Sequence, residues 1–342
     1  MSPSSQDLLT RLLRQVSRSF YLTLRVLPGA IGPQIGLAYL LARATDTIAD
    51  TEIVSPEQRV DALRALREAI LRDAEGAGLR ERLGDFARHQ GLPAERELLE
   101  RLGEALALLG ELSSDDQQRV REVLATITSG QQLDLERFSR ASGQQIVALA
   151  NGAELDDYTY RVAGCVGEFW TKMCRAHLFP HAAIDDARLL ADGVRFGKGL
   201  QLVNILRDLP RDLRQGRCYL PADELAVAGL APTDLLDSRR ESRLRPVYNR
   251  WLDLAHAHLA AGWDYTNSLP GGCTRVRLAC AWPILIGVKT LGRLRAGNVL
   301  DADQRIKISR ADVRGVMIQS LLRLPFRGSW QRQFGEASGG RR

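Results

Sequence analysis

The stretch from Gly193 to Pro221 combines acidic and apolar side chains in a pattern that few soluble folds accommodate. Asn204, Asp208 and Asp212 lie four residues apart, so on a helix their side chains share one face. The apolar residues of the same segment are Phe196, Leu200, Val203, Leu206 and Leu209. This pattern predicts a helix that is packed in a core and directs its acids into an enclosed space. Because buried carboxylates need a compensating charge, a bound cation is also predicted.

A second pair of acids has the same spacing nearer the start of the chain. Asp46 and Asp50 lie one helical turn apart in a segment rich in Ile, Leu, Ala and Tyr. Mg²⁺ binds one or two carboxylates together with water and phosphate oxygens, so two facing acid rows favour a diphosphate held through bridging metal. A single D-x-x-x-D pair is more often a solvated helix face. Two rows with interleaved arginines, Arg43 in the first and Arg207 and Arg211 in the second, make that alternative less favoured.

The composition favours an all-α protein. The 342 residues are 45% hydrophobic and only 6% aromatic, and no run of alternating Val, Ile and Thr indicates a strand. No Gly/Ser-rich or Pro-rich linker divides the chain, so a single domain over residues 1–342 is predicted. The segment over about 326–342 is expected to be a flexible tail that contacts anionic lipid.

Hydrophobic periodicity predicts where the main helices lie. The predicted segments are Ser5–Ser17, Ile31–Thr51, a helix starting at Ser55-Pro56, Asp115–Phe138, Leu155–His177, 238–267, and Thr274–Leu294 with Pro283 inside it. Ser55 is expected to cap its helix, with Pro56 at the first helical position.

Two of these helices carry residues that helical propensity alone does not explain. Gly130, Gln131 and their neighbours form a polar patch in an otherwise apolar pattern, which is either a solvated face or the mouth of a pocket. Gly164 and Gly167 each cost about 1 kcal/mol relative to alanine within a helix. We therefore expect close approach of a neighbouring helix, or of a long hydrocarbon chain, at these two glycines.

Charge and cysteine usage limit the partners and the compartment. The 47 basic and 41 acidic residues give a net charge of +6, which suits anionic ligands or an acidic membrane surface. Nucleic acid is not favoured, because no basic stripe with interleaved aromatics or zinc-finger spacing is present. The five scattered cysteines without C-x-x-C spacing, and the lack of a signal-like start, predict a cytoplasmic protein. The hydrophobic run Leu278–Val288 is too short to span a bilayer, so any membrane contact is expected to be peripheral, at the inner face.

Several motifs together resemble those of the squalene and phytoene synthase family of head-to-head prenyl synthases. The two acid motifs read R-x-x-D-x-x-x-D at Arg43–Asp50 and Q-x-x-N-x-L-R-D-x-x-x-D at Gln201–Asp212. Further similar segments are SRSF at Ser17–Phe20, YTYRVAGCVG at Tyr158–Gly167 and G-R-x-Y-L-P at Gly216–Pro221. The resemblance covers about residues 15–320, and C-A-x-P at Cys280–Pro283 is more similar to squalene synthases than to phytoene synthases.

This resemblance implies a fold and a reaction. The implied fold is the isoprenoid synthase helical bundle around a deep central cavity. The implied reaction is Mg²⁺-dependent condensation of two farnesyl diphosphates through presqualene diphosphate, followed by reduction to squalene with NADPH. The alternatives are a phytoene or dehydrosqualene type of synthase, and a presqualene diphosphate synthase without reduction. A non-catalytic helical protein that binds prenyl diphosphate or membrane is a further alternative, although it would be expected to lack one or more of the four acids.

The resemblance also implies roles for individual residues. The metal ligands would be Asp46, Asp50, Asn204, Asp208 and Asp212, and Tyr158 would move a proton or steady the departing diphosphate. The substrate-binding residues would be Ser19, Phe20, Arg43, Gln201, Asn204, Arg207 and Arg217. Lys307 and Arg310 would bind the phosphate of NADPH, although a basic segment before a helix is more often a solvated face. No G-x-G-x-x-G fingerprint is present, so NADPH rests on the resemblance alone. No protein partner is implied.

Overall fold

A computed structural model describes residues 3–17, 20–72, 79–301, 303–304 and 306–340. The described residues form two compact units, Met1–Ser139 with Phe169–Pro180, and Arg140–Glu168 with His181–Arg342. Nearly all of their secondary structure is helical, as predicted. The prediction of a single domain over 1–342 stays a prediction. No helix among the described residues is long and apolar enough to cross a bilayer.

The first unit is built around one helix that carries the first acid pair. Helix α4 packs against α5, α8 and α9 and has Leu37, Leu40, Leu41 and Ile48 in its buried face. Ser55 caps α5 as predicted, accepting a hydrogen bond from the amide of Gln58 at 3.3 Å. The helices of this unit are α1 (Pro3–Asp7), α2 (Leu13–Val16), α3 (Tyr21–Arg25), α4 (Gly32–Ala49), α5 (Pro56–Arg72), α6 (Leu79–Arg88), α7 (Pro93–Glu100), α8 (Leu102–Gly110) and α9 (Ser114–Arg137).

The second unit is built around the helix that carries the second acid row. Helix α12 packs along α14 and α15, and Tyr248 on α14 donates its hydroxyl hydrogen bond to the Leu206 carbonyl at 2.8 Å. Helix α11 (Cys165–His177) contributes residues to both units. The other helices here are α10 (Gly152–Thr159), α12 (Asp186–Arg214), α13 (Ala222–Val227), α14 (Glu241–Ser268), α15 (Thr274–Ala296), α16 (Arg310–Arg323) and α17 (Arg327–Ala337).

A short parallel strand pair, which the sequence pattern does not predict, anchors the end of α12. Strands β1 (Val147–Ala148) and β2 (Arg217–Cys218) pair in the register Val147 with Arg217 and Ala148 with Cys218. Gly216 before β2 has φ of +80°, and a Cβ there would lie 2.3 Å from the Ser142 amide nitrogen. Only glycine fits both the conformation and the space, so the G-R-x-Y-L-P motif starts with a required turn.

Sequence-based expectations differ from the structure in several places. The predicted helix Ser5–Ser17 is interrupted by a π-helical turn at Leu8–Leu12. Leu155–His177 is not one uniform helix, because a π-helical turn at Tyr160–Gly164 separates α10 from α11. Residues 327–337 form helix α17, where the sequence analysis expects a flexible tail. Trp330 is fully buried there, stacks on Trp263 at 5.2 Å and donates a hydrogen bond to Asn267. The buried Trp330 side chain holds residues 327–337 against α14. This contact is between residues distant in sequence, so local sequence patterns do not predict it.

Close packing against α12 explains the glycines at 164 and 167. At Gly164 the contacts are with side chains, since an added Cβ would lie 3.2 Å from Lys198 and 3.3 Å from Val194. A Cβ on Gly167 would lie 1.8 Å from the carbonyl oxygen of Gly193, and one on Gly197 would lie 2.1 Å from that of Ala163. Of the two explanations left open by the sequence, a neighbouring helix is the one observed at these positions. The interlock holds the π-helical turn and α12 together.

Gly167→Ala should destabilise the protein by about 3 kcal/mol, because the contacting atom belongs to backbone and cannot rotate away. The urea midpoint of unfolding measures the change. Gly292→Ala is the matched control, since Gly292 is exposed on α15 with nothing within 4 Å of an added Cβ. The control should be neutral or more stable by up to about 1 kcal/mol. Equal midpoints for the two variants would contradict the interlock.

Candidate active site

Asp46 and Asp50 lie at the C-terminal end of α4. Asp46 is in the last turn, Asp50 is the C-cap residue, and the Asp50 amide donates to the Asp46 carbonyl at 2.8 Å. A helix carries partial negative charge at this end, which disfavours carboxylates. Arg59 offsets part of that charge by donating a hydrogen bond to the Ala49 carbonyl at 2.9 Å. The pair therefore sits where an added cation is electrostatically favoured.

The surroundings of Asp46 favour its neutral form. Desolvation, followed by repulsion from Asp50, raises the pKa of Asp46 to about 6, although Arg43 and a hydrogen bond from Gln131 act in the opposite direction. The side chain still keeps 49% of its surface accessible, so an ion can reach it. An accessible carboxylate that the protein disfavours as an anion is a suitable ligand for a divalent cation.

Gln131 is a contact of Asp46 that the sequence analysis does not include among the site residues. It is buried on α9, and its amide nitrogen donates to Oδ1 of Asp46. The Gln131 amide oxygen is buried and has no hydrogen-bond partner among the described residues. Of the two interpretations of the polar patch, a solvated face does not apply to this residue, which is buried against Asp46. The unpaired oxygen suits a donor such as a metal-bound water.

Arg43 is engaged by another acid. Its guanidinium pairs with Glu95 of α7 and lies 3.9 Å from Asp46, and the side chain is mostly buried. Its Nε is buried and has no partner among the residues that the structure covers. Arg43 thus contributes positive charge beside Asp46 while part of its hydrogen-bonding capacity is unused, and its role toward substrate stays a prediction.

Phe20 lies beside the same helix. Its ring stacks on Tyr39 of α4 with centroids 5.5 Å apart, and Tyr39 precedes Arg43 by one turn. Ser19, the other predicted residue of this motif, lies outside the described residues. The hydroxyl of Ser17 is buried without a partner in the described part of the chain.

The second acid row lies on the last half of α12 and is accessible to solvent. Asn204 is exposed, Asp208 and Asp212 are half-buried, and Val203, Leu206 and Leu209 are buried as predicted. The expectation that the row is fully enclosed is therefore wrong for Asn204. Asp212 occupies the last turn of the helix, where the helix dipole again disfavours an anion. Access along the row is what a metal or diphosphate ligand requires.

Arg207 and Asp208 form a pair between sequence neighbours. Nε and Nη2 of Arg207 donate to the two carboxylate oxygens of Asp208 at 2.8 and 2.6 Å. This contact with Asp208 raises the pKa of Arg207. Arg207 thus neutralises the acid, and it would be released toward a phosphate oxygen if a cation took its place on Asp208.

Tyr158 is buried against a second tyrosine that the sequence analysis does not include. Its ring stacks on Tyr219 with centroids 5.0 Å apart, and the two hydroxyl oxygens are 3.5 Å apart. Tyr219 follows β2, so the β1–β2 pair fixes its position. The half-buried Arg217 lies in the same strand. The Tyr in G-R-x-Y-L-P could have been identified from the motif itself.

Arg161 lies in the YTYRVAGCVG segment, and its charge is paired locally. Its Nε donates to Asp157 at 2.8 Å, one turn earlier, on a partly exposed surface. The π-helical turn starts two residues after Tyr158, and such turns are frequent at functional sites.

The remaining predicted residues are Gln201, Lys307 and Arg310. Gln201 is half-buried on α12, while Lys307 and Arg310 are exposed before and at the start of α16. No group of three or more metal-ligating side chains occurs among the described residues. A divalent cation would therefore complete its shell with water and substrate oxygens, as Mg²⁺ commonly does.

The sequence profile of the squalene/phytoene synthase family matches residues 13–312. The chain belongs to the squalene/phytoene synthase family. The resemblance expected from its motifs is thereby confirmed over most of the chain. Both acid pairs, Tyr158 and the G-R-x-Y-L-P segment of this family member lie within the matched residues.

Several characterised relatives are similar to this family member. Presqualene diphosphate synthase from Zymomonas mobilis subsp. mobilis is 30% identical over 75% of the chain and 74% of its own length. Phytoene synthase from Arthrospira platensis is 26% identical over 82% and 79%. The bifunctional lycopene cyclase/phytoene synthase from Phaeosphaeria nodorum is 28% identical over 78% of the chain but only 42% of its own length. The chain thus spans less than half of such bifunctional relatives.

Solved structures share the fold. A ligand complex of TcSQS aligns with a TM-score of 0.74 at 21% identity, covering 98% of each chain. A dehydrosqualene synthase complex aligns with a TM-score of 0.66 at 19% identity, covering 94% of this chain and 98% of that one. At these identities the likeness establishes the all-α isoprenoid synthase fold that the motifs imply.

Asp46→Asn should stabilise the metal-free protein at neutral pH. Because folding raises this pKa from 3.8 to about 6, folding favours the protonated acid, and stability falls as pH rises through that window. Asparagine removes the charge, so melting in EDTA should occur about 1–3 °C higher above pH ~6, a small gain since water screens a half-exposed carboxylate. The increase in melting temperature should vanish at pH values below 3.8, the ordinary pKa of aspartate, because Asp46 is then protonated in both states.

Asp61→Asn is the control for this measurement, since Asp61 is exposed on α5 of the same unit. It should leave the melting temperature unchanged at every pH. An Asp46→Asn protein that melts at or below wild type at neutral pH would show that the carboxylate is not disfavoured.

Proposed function

We propose that this protein catalyses the head-to-head condensation of two farnesyl diphosphates through presqualene diphosphate to squalene, with Mg²⁺ and NADPH. It would thus be a farnesyl-diphosphate farnesyltransferase of squalene synthase type, acting in isoprenoid biosynthesis. The observation that carries the proposal is the pair of acid motifs, each near the C-terminal end of a helix, in a chain of this family. Carboxylates in that position are electrostatically prepared for a cation-bound diphosphate.

The donor set fits Mg²⁺. Asp46 and Asp50 of the first acid motif and Asp208 and Asp212 of the second offer carboxylate oxygens, and Asn204 offers a carboxamide oxygen. The repulsion between Asp46 and Asp50, which a cation would relieve, and the unpaired Gln131 oxygen beside them both favour a hydrated cation at this site. When bound, the ion supplies positive charge that offsets the charge of a departing diphosphate.

The chain's own residues would then bind and orient the substrates. Arg207, bidentate on Asp208 in this state, would turn to a phosphate oxygen, and Arg43 and Arg217 would add further charge-assisted hydrogen bonds. Tyr158, held by its stacking on Tyr219, would donate a hydrogen bond to the leaving diphosphate or relay a proton. Apolar side chains would exclude water from the allylic cation, which would otherwise be quenched to an alcohol.

A second candidate is synthesis of presqualene diphosphate without the reduction. Two relatives named presqualene diphosphate synthase, from Zymomonas mobilis and Rhodopseudomonas palustris, are each 30% identical over about three quarters of their length. Lys307 and Arg310, the residues expected to bind NADPH, are exposed, and NADPH rests on family resemblance alone. A phytoene or dehydrosqualene product from the same fold is the remaining alternative.

Product analysis distinguishes these activities. Purified protein with farnesyl diphosphate and Mg²⁺ should form presqualene diphosphate without NADPH and squalene with it. If presqualene diphosphate is the product both with and without NADPH, the protein catalyses only the first half-reaction. Phytoene from geranylgeranyl diphosphate would overturn the substrate assignment.

Variants of the two acid pairs separate an enzyme from a non-catalytic prenyl diphosphate binder. Asp46→Asn and Asp208→Asn should each lower kcat at least about 100-fold, because each removes a ligand charge for the ion that offsets the leaving group. Wild-type turnover in both variants would exclude metal-assisted ionisation at these positions.

Gln131→Met should raise the Mg²⁺ concentration at half-maximal activity by about tenfold, because residues that support metal ligands typically change affinity by that order. Gln132→Met is the matched control on the next residue of α9, where the amide donates to Glu136 at 2.8 Å on an exposed surface. An unchanged Mg²⁺ dependence in Gln131→Met would show that the contact with Asp46 only supports packing.

We propose a cytoplasmic location with peripheral contact at the inner membrane face. The proposed substrate and product carry long hydrocarbon chains that partition into lipid, and the net charge of +6 suits an anionic surface.

A further inference from the structure

Helix α16 presents large apolar side chains to solvent on one side. Ile318, Leu321 and Leu322, together with Phe326 just after the helix, are 51% to 67% exposed. Three of them fall at helical spacing on one face, opposite the buried Val316 and Ser320. We call these four residues the outer face of α16. A contiguous group of this kind is uncommon on soluble monomers and marks interaction sites.

The outer face is held in place from the inside. Ser320 donates to the Val316 carbonyl at 2.7 Å and contacts Gln333 of α17 at 3.2 Å. Ser309 and Asp312 cap the N-terminus reciprocally, and Asp312 also pairs with Arg293 of α15 at 2.6 Å. The helix is thus fixed on the unit by its buried side. Its apolar outer residues are displayed by a folded element and do not result from local unfolding.

The segment that carries this face is rich in basic side chains. Segment 306–340 carries six, namely Lys307, Arg310, Arg314, Arg323, Arg327 and Arg332, against only Asp312 and Glu336. Both acids are already neutralised, Asp312 by Arg293 and Glu336 by Arg323. No ion pair engages Arg314 or Arg327 among the described residues, and both are exposed. The segment that carries the apolar face therefore has an excess of positive charge, with Arg314 and Arg327 uncompensated among the described residues.

We propose that α16 docks on an anionic lipid bilayer, lying in the interface with its outer face in the acyl boundary. An apolar stripe bordered by arginines is the pattern of helices that lie in the membrane surface. Each nearby basic residue adds attraction to anionic headgroups. A symmetric dimer through the same face would bring two segments with excess positive charge together, so a second copy of the chain fits less well.

This surface deepens the peripheral membrane contact that is part of the proposed function, and it does not depend on the proposed reaction. If the product is a hydrocarbon, as proposed above, docking keeps the enzyme at the lipid that dissolves it. Binding to vesicles can be measured with no substrate present, so failure of the docking proposal and failure of the proposed function are distinguishable.

The test is co-sedimentation with vesicles of phosphatidylcholine, with and without phosphatidylglycerol. Wild-type protein should bind only the vesicles that contain phosphatidylglycerol, and binding should weaken as NaCl is raised. The double variant Ile318→Glu/Leu322→Glu should bind at least about tenfold more weakly, because two large apolar side chains no longer enter the lipid. Arg314→Gln/Arg327→Gln should weaken binding to anionic vesicles and remove part of its salt dependence.

Val227→Glu is the matched control. Val227 is an apolar residue that is 87% exposed, and it lies on α13 of the same unit and not on α16. It should bind vesicles like wild type. Melting temperatures of all variants should equal that of wild type, which shows that the substituted face is not part of the core. Wild-type binding by the double variant, absence of binding to anionic vesicles, or a wild-type dimer that the double variant abolishes would each overturn the proposal.

Discussion

Carboxylates at the C-terminal end of a helix are the interaction on which the rest of this structure depends. Asp46 and Asp50 end α4, and Asp212 lies in the last turn of α12, where the backbone already carries partial negative charge. Neighbouring arginines offset part of this negative charge. Arg59 of α5 donates to the last turn of α4, and Arg207 pairs with Asp208. Such a site is costly without a ligand and therefore selective for one that brings positive charge.

Close backbone contacts hold α12, which carries the second acid row, against α11 and the π-helical turn before it. Glycines at 167 and 197 allow α12 to approach the π-helical turn so closely that no Cβ fits between them. The same turn follows Tyr158, and the short β1–β2 pair places Tyr219 against that tyrosine. Small residues and irregular backbone thus hold these polar groups in fixed positions. Fixed positions are what the proposed reaction would require of them.

Local sequence patterns predict the parts of this structure that local physics determines. The predicted helix Ile31–Thr51 corresponds to Gly32–Ala49, and 238–267 corresponds to Glu241–Ser268, because apolar periodicity defines both. The pairing of Arg43 with Glu95 and the burial of Trp330 depend on contacts 52 and 63 positions apart, which no local pattern contains. Gln131 illustrates the limit of prediction from local sequence. Its polarity is visible in the sequence, but its contact with Asp46 requires the packing of α9 on α4.

The most direct test of the account is the position of a metal in crystals grown with Mn²⁺ and a non-ionising thiodiphosphate analogue of farnesyl diphosphate. Anomalous scattering should place Mn²⁺ within about 2.5 Å of carboxylate oxygens from both acid pairs, with diphosphate oxygens and water completing each shell. Manganese and diphosphate bound together elsewhere, with Asp46 and Asp208 keeping their contacts to Gln131 and Arg207, would contradict it.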